Sequence, residues 1–114
     1  MRVSVIHRVF EPSSRLVAFV DVPDNLSVDE ALEFAYEKTN NINGSWSLGP
    51  EIEYAYKMHK NPDYCEAVTV MVDLPVDKST GYKKGLRSTC MGDRIIVGNT
   101  CFRVMPFGFE KEEA

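Results

Sequence analysis

Apolar and polar positions alternate from the start of the chain. Over residues 2–10, Val3, Val5, His7 and Val9 alternate with Arg2, Ser4, Ile6, Arg8 and Phe10. Both sets contain apolar members, which predicts a strand covered on both faces. Glu11-Pro12-Ser13-Ser14 supplies a turn, and Arg15 to Val22 reads as a second strand. So short a connection predicts an antiparallel hairpin. Pro23-Asp24-Asn25 breaks the strand. Ser27 and Glu30 then stand three apart, the spacing of a capping box. Leu32, Ala35 and Tyr36 share one helical face with Val28 a turn earlier, which predicts a helix over 28–39. Asn40 and Asn41 follow as residues that accept the left-handed backbone of a helix end.

The pattern weakens in the middle. Residues 40–50 form a turn-rich loop around Trp46, the only tryptophan. A loop of that length is either functional or held by its own side chains. The alternation of Ile52, Tyr54, Tyr56 and Met58 favours extended structure over a short helix. Asn61-Pro62-Asp63 breaks it, and the β-branched run 67–74 predicts a strand. Pro75 to Gly85 is a polar loop. At the C-terminal end, Gly98-Asn99 separates Ile95-Ile96-Val97 from Cys101-Phe102-Arg103-Val104. Gly and Asn tolerate the positive φ of a tight hairpin turn, and Gly92-Asp93 makes a sharp turn ahead of the first strand.

The element order predicts an α+β fold: one small domain over residues 1–109 with an antiparallel sheet of about five strands on one main helix. The strands are an N-terminal hairpin, one middle strand and a C-terminal hairpin. Residues 110–114 read as a flexible acidic tail. The expected core is Val5, Phe19, Val20, Leu32, Ala35, Tyr36, Val70, Val72, Ile96 and Val104.

Composition narrows the function classes. The 114 residues carry a net charge of -4, which argues against indiscriminate nucleic-acid binding. No apolar run approaches the roughly 18 residues that cross a bilayer, so no membrane partner is expected. Three cysteines without a secretion signal read as a reduced, cytosolic chain, in which the sequon Asn43-Gly44-Ser45 is a chance match. His7, His59, Cys65, Cys90 and Cys101 lack the short spacings of zinc sites, so no metal and no cofactor is expected. Neither a nucleophile elbow nor a phosphate-cradling glycine loop is present, and Ser88 and Thr89 read as turn residues that bond the backbone.

Charge is uneven. Residues 21–37 carry Asp21, Asp24, Asp29, Glu30, Glu33 and Glu37 with no Lys or Arg. Residues 77–103 carry Lys78, Lys83, Lys84, Arg87, Arg94 and Arg103 against Asp77 and Asp93. The acidic helix would suit a basic partner surface, such as one that normally holds nucleic acid. The basic loop with Tyr82 would suit phosphates. Trp46 reads as a residue that folds back over the helix, with an exposed partner anchor as the alternative.

Several runs resemble small proteins encoded by tailed bacteriophages. They are Thr39 to Ser47, Val68 to Pro75, Leu86-Arg87-Ser88-Thr89, Gly92-Asp93, Pro106 to Phe109 and the opening His7 to Pro12. The stretch Ser88-Thr89-Cys90-Met91-Gly92-Asp93 also resembles the Ser-x-Ser-x-Gly-Asp strand-turn module of YodL-like proteins of phages and other mobile elements. Cys90 stands where the second serine is usual. The resemblance implies a phage setting and expression in the cytoplasm of a bacterial host. No activity is established for the group, so it supplies no catalytic residue. The expectation is a non-enzymatic accessory protein that binds a host macromolecule, a host protein first, for host takeover or counter-defence. A nucleic-acid module on the 78–103 segment, and a small enzyme or nucleotide binder using the 40–47 loop and 87–93 turn, are the alternatives. Trp46, Asn40, Asn41, Arg87, Ser88, Lys83, Lys84 and Tyr82 are the partner-binding candidates. Of these, Arg87 is the one expected to reach a partner.

Overall fold

In the computed structural model, which describes residues 1–112, one helix packs on a six-stranded antiparallel sheet. The strands are β1 (Arg2–His7), β2 (Arg15–Asp21), β5 (Val68–Val70), β6 (Arg94–Val97), β7 (Thr100–Val104) and β8 (Phe109–Lys111), in the spatial order β5-β2-β1-β6-β7-β8. Between them in sequence lie α1 (Val28–Lys38) and a separate hairpin, β3 (Glu51–Tyr54) with β4 (Lys57–Lys60). The α+β reading therefore holds, with one more strand in the main sheet than the hairpins suggested.

Cross-strand pairing explains which residues are buried. Val3 stands between Val20 and Val97, and Val5 between Ala18 and Ile95. These side chains share the sheet face that meets Ala31, Leu32 and Ala35 of α1, and all of them are buried. The core expectation holds at Val5, Val20, Leu32, Ala35 and Val104. Tyr36, Val70 and Val72 are half-buried against the core. Phe19 does not join the core: it stands opposite Ser4, on the sheet face away from the helix. Ile96 is a correction: Ile95 and Val97 face the helix, so the strand's period of two sends Ile96 to the opposite face.

The helix forms as the capping pattern predicts. Glu30 N–H donates to Ser27 Oγ at 3.2 Å, and Ser27 N–H donates back to Glu30 Oε1 at 3.0 Å. Its other end is closed differently from expectation. Neither Asn40 nor Asn41 takes a positive φ. Instead the Thr39 hydroxyl donates to Ala35 O at 2.8 Å and Asn40 Nδ2 donates to Tyr36 O, so side chains serve the freed carbonyls.

Strand limits also have local causes. β1 stops at His7 because Arg8 N–H and Val9 N–H donate to Asp93 Oδ1 at 2.9 and 3.3 Å instead of to a strand. The expected strand 67–74 contracts to Val68–Val70. Its partner β2 bulges beside Val17, and pairing ends with Met71 N–H on Val17 O at 2.8 Å. The expected tail does not leave the fold at Phe109. β8 pairs with β7, and Glu112 N–H donates to Cys101 O at 2.9 Å; residues 113–114 lie outside the described residues. The two-residue turn 98–99 stands, with positive φ on Gly98 alone, the requirement of a type II′ turn. The 51–59 segment is extended, as its alternation suggested, but doubles back on itself. Its turn places Ala55 and Tyr56 at φ 51° and 65°, a conformation that normally selects Asn-Gly.

Candidate functional site

The predicted site residues fall into two places. Asn40, Asn41, Trp46, Arg87 and Ser88 meet in one junction, where the loop after α1 is laced to the segment ahead of β6. Tyr82, Lys83 and Lys84 lie apart, in a loop closed by Asp77 N–H on Tyr82 O and Lys84 N–H on Pro75 O at 2.8 and 2.7 Å. There the two lysines are exposed and Tyr82 is half-buried.

The junction is built from backbone groups that no strand satisfies. Asn41 does most of the bridging. Its N–H donates to Ser88 Oγ at 2.8 Å, its Nδ2 to Leu86 O at 3.0 Å, and its Oδ1 accepts Trp46 N–H at 2.9 Å. Ser47 Oγ accepts Leu86 N–H at 2.6 Å. Trp46 folds back into the core at 2 % exposure and donates its indole N–H to Arg87 O at 2.9 Å. The His7 ring meets it edge-on, centroids 6.1 Å apart. The covering role for Trp46 is therefore the one the fold uses.

Two residues treated in sequence as simple chain breakers hold this loop from below. Asp63 Oδ2 accepts the N–H groups of Ile42, Asn43 and Gly44 at 2.7, 3.0 and 2.7 Å. Buried Asn61 donates to Ser45 O and Gly49 O at 2.6 and 2.9 Å and accepts Ser45 N–H at 3.0 Å. A methyl group on Gly44 would stand 2.3 Å from Asn61 Oδ1, so only glycine fits that approach.

Beneath the junction lie two polar networks. In the first, Thr39 spends its hydroxyl proton on Ala35 O, so it accepts from Thr89 at 2.8 Å. Thr89 in turn accepts from His7 Nε2–H at 2.9 Å. Burial pushes the His7 pKa down, and the Arg87 charge adds to this, so the imidazole is neutral.

The second network centres on Arg87. Its Nε and Nη2 donate to Glu11 at 3.1 and 2.7 Å; Nη1 and Nη2 donate to Asp93 at 2.7 and 2.9 Å; Nη1 also reaches Ser88 O at 2.9 Å. Those acceptors use all five guanidinium protons. The ring of Phe10 lies 5.1 Å from the guanidinium carbon. Burial alone would raise the Asp93 carboxyl, but hydrogen bonds from Arg87, Arg8 N–H and Cys90 N–H outweigh it and hold the pKa at about 2. The same pairing raises the Arg87 pKa. Burial, helped by the Asp93 charge, pushes the Cys90 thiol up, so it stays protonated and weakly nucleophilic. Arg87 is thus engaged inside the protein, contrary to its expected reach outward. Neither Glu11 nor Phe10 was legible as its partner, because the contact spans 76 residues of sequence.

The free charge lies elsewhere. Glu33 and Glu37 stand on the outward side of α1, beside shallow depressions of about 360 and 340 Å³. Leu26 and Phe34 floor one, and Tyr36 and Ile42 the other. Among the described residues, no helix is long and apolar enough to cross a membrane, and no three His, Cys, Asp or Glu side chains group to hold a metal.

Comparisons with protein-family models, curated proteins and solved structures gave no match.

Proposed function

We propose that this chain is a non-enzymatic, phage-encoded accessory protein that binds a basic surface of a host protein in the bacterial cytoplasm. The phage setting rests on the sequence resemblance. The binding surface rests on one observation, the unneutralised acidic stripe of α1. Asp29, Glu33 and Glu37 stand four residues apart, so they form a line about 12 Å long. Among the described residues, none of the three has an ion-pair partner, whereas Asp21 and Asp24 nearby are paired with Arg2 and the N-terminal ammonium. Like charges four apart destabilise a helix by about 0.2–0.5 kcal/mol per pair. Asp29 is compensated by its place in the first turn, but the Glu33–Glu37 repulsion is not; an exposed like-charge pair flanked by apolar depressions fits a surface kept for a cationic partner.

The enzyme alternative is weaker, because Cys90, Asp93 and Arg87 are engaged with one another and His7 is bonded to buried Thr89. The alternative on the 78–103 segment loses Arg87 to the same network.

The test is affinity capture from nuclease-treated host lysate, with wild-type protein and the Glu33→Lys/Glu37→Lys double variant side by side. The wild type retains a basic host protein that heparin displaces. The variant loses it with an unchanged melting temperature. Equal capture by both forms would refute the reading.

A further inference from the structure

The helix covers one face of the main sheet, and the opposite face carries arginine. Pairing places Arg2, Arg94 and Arg103 there, with Ser4, Ile6, Phe19, Ile96 and Cys101 between them. Arg8 reaches the same surface through Glu112. Four of the chain's six arginines thus serve one face. Among the described residues, no second helix or sheet packs over it. The side chains of Arg2, Arg94 and Arg103 are 57, 31 and 39 % exposed.

Two features are costly for a face that only meets water. Arg94 and Arg103 are direct cross-strand partners, and like charges in that position repel. Arg103 Nε is buried without a hydrogen-bond partner. An anion with several oxygens relieves the repulsion between the two guanidinium groups, reaching them through their exposed Nη atoms. The chain supplies a partial one: Glu112 accepts Arg94 Nε at 2.9 Å and lies 3.8 Å from Arg8, Glu110 accepts Arg103 Nη2 at 3.0 Å, and Asp21, opposite Arg2, accepts its Nε at 3.1 Å. Phe19 adds an aromatic surface on the same face, with the Arg2 guanidinium 5.1 Å from its centroid.

We propose that this open sheet face is a weak site for single-stranded nucleic acid. Phosphates sit on Arg94, Arg103 and Arg2, a base stacks at Phe19, and Glu112, Glu110 and Asp21 are built-in competitors for those arginines. A flat sheet suits a single strand, whose bases are free to stack and whose backbone can follow the arginines across the strands. A duplex offers neither. The surface is separate from the acidic stripe, being on the other side of the sheet from α1, so it stands independently of the proposed host-protein contact.

The experiment is fluorescence anisotropy with labelled 12-mers of oligo(dT) and oligo(rU), and a duplex control, at 50 and 200 mM salt. Binding of the single strands in preference to the duplex is expected, and the two arms tell DNA from RNA. Arg94→Ala/Arg103→Ala weakens binding about tenfold or more. It also lowers the slope of log affinity against log salt by about 1.4, two phosphate contacts' worth. Glu110→Gln/Glu112→Gln acts in the opposite direction and tightens binding several-fold, a gain that a merely damaged fold does not produce. Melting temperatures and Trp46 emission verify that each variant is folded. Three results would overturn the proposal. One is no binding at 50 mM salt by the wild type and the glutamine variant alike. The second is preference for the duplex. The third is binding that Lys83→Ala/Lys84→Ala removes while the arginine variant retains it.

Discussion

Arg87→Ala is the perturbation from which the fold has most to lose. The substitution removes five donors at once and leaves the fully buried Asp93 and the mostly buried Glu11 facing each other without the cation between them. Asp93 keeps its backbone donors Arg8 N–H and Cys90 N–H, both at 2.9 Å, so part of the carboxylate remains solvated by protein. Breaking a buried pair by removing one member costs about 3–5 kcal/mol. Because the Arg87 side chain is 25 % exposed, the lower end, about 3 kcal/mol, applies. For a chain of this size that loss lowers Tm by roughly 10–20 °C. The assay is urea unfolding with Trp46 emission as the probe, repeated from pH 7 to pH 2.5. The pH series carries its own sign. A carboxyl held at about 2 in the folded chain, against an ordinary 3.8, contributes stability that is present above pH 4 and is lost as pH falls toward 2. That contribution is about 2.5 kcal/mol, and much of it depends on Arg87. The gap between wild type and variant therefore narrows below pH 4. A loss under about 1 kcal/mol at pH 7, or a gap that does not change with acid, would refute the reasoning.

Three further outcomes follow from the interior. Leu32→Ala empties a fully buried position between α1 and the sheet and costs about 2–5 kcal/mol by urea melt; a loss under 0.5 kcal/mol would mean the helix face is misassigned. Trp46→Ala costs about 3–5 kcal/mol, and the native indole emits at shorter wavelength than in water; emission as in water would contradict its burial. His7 has its pKa lowered by burial, so the unfolded chain takes the proton first and stability falls as pH drops below about 6.5. His7→Gln removes that slope between about pH 6.5 and 5, and an unchanged slope would place the titration elsewhere.

The sequence carried the local features well. The capping box at Ser27 and Glu30, the period-two strands at either end and the two-residue turn at Gly98 each depend on neighbours a few residues away. The loop around Trp46 was legible as an ordered one, because eleven residues rich in turn formers around one large ring seldom hang free. The partners were not legible. Nothing near Arg87 in sequence names Glu11, and nothing near Ile42 names Asp63, since both contacts depend on how the chain returns. Arg87 stood out for its charge, yet that charge faces inward because two acidic side chains from distant turns arrive beside it. The arginine face was hidden for a different reason. Arg2, Arg94 and Arg103 are separated in sequence and come to share one face only when β1, β6 and β7 pair. The split of Ile95 from Ile96 is a matter of register, which a run of three β-branched residues does not specify.

The acidic stripe of α1 is the centre of the functional account, and carboxylate footprinting tests it most directly. The protein is labelled with a carbodiimide and glycine ester, alone and in complex with the captured host protein, and modification is read residue by residue by mass spectrometry. Asp29, Glu33 and Glu37 lose labelling in the complex, while Glu51, Glu53 and Asp73 label as before. Unchanged labelling along the helix, with protection elsewhere, would contradict the account.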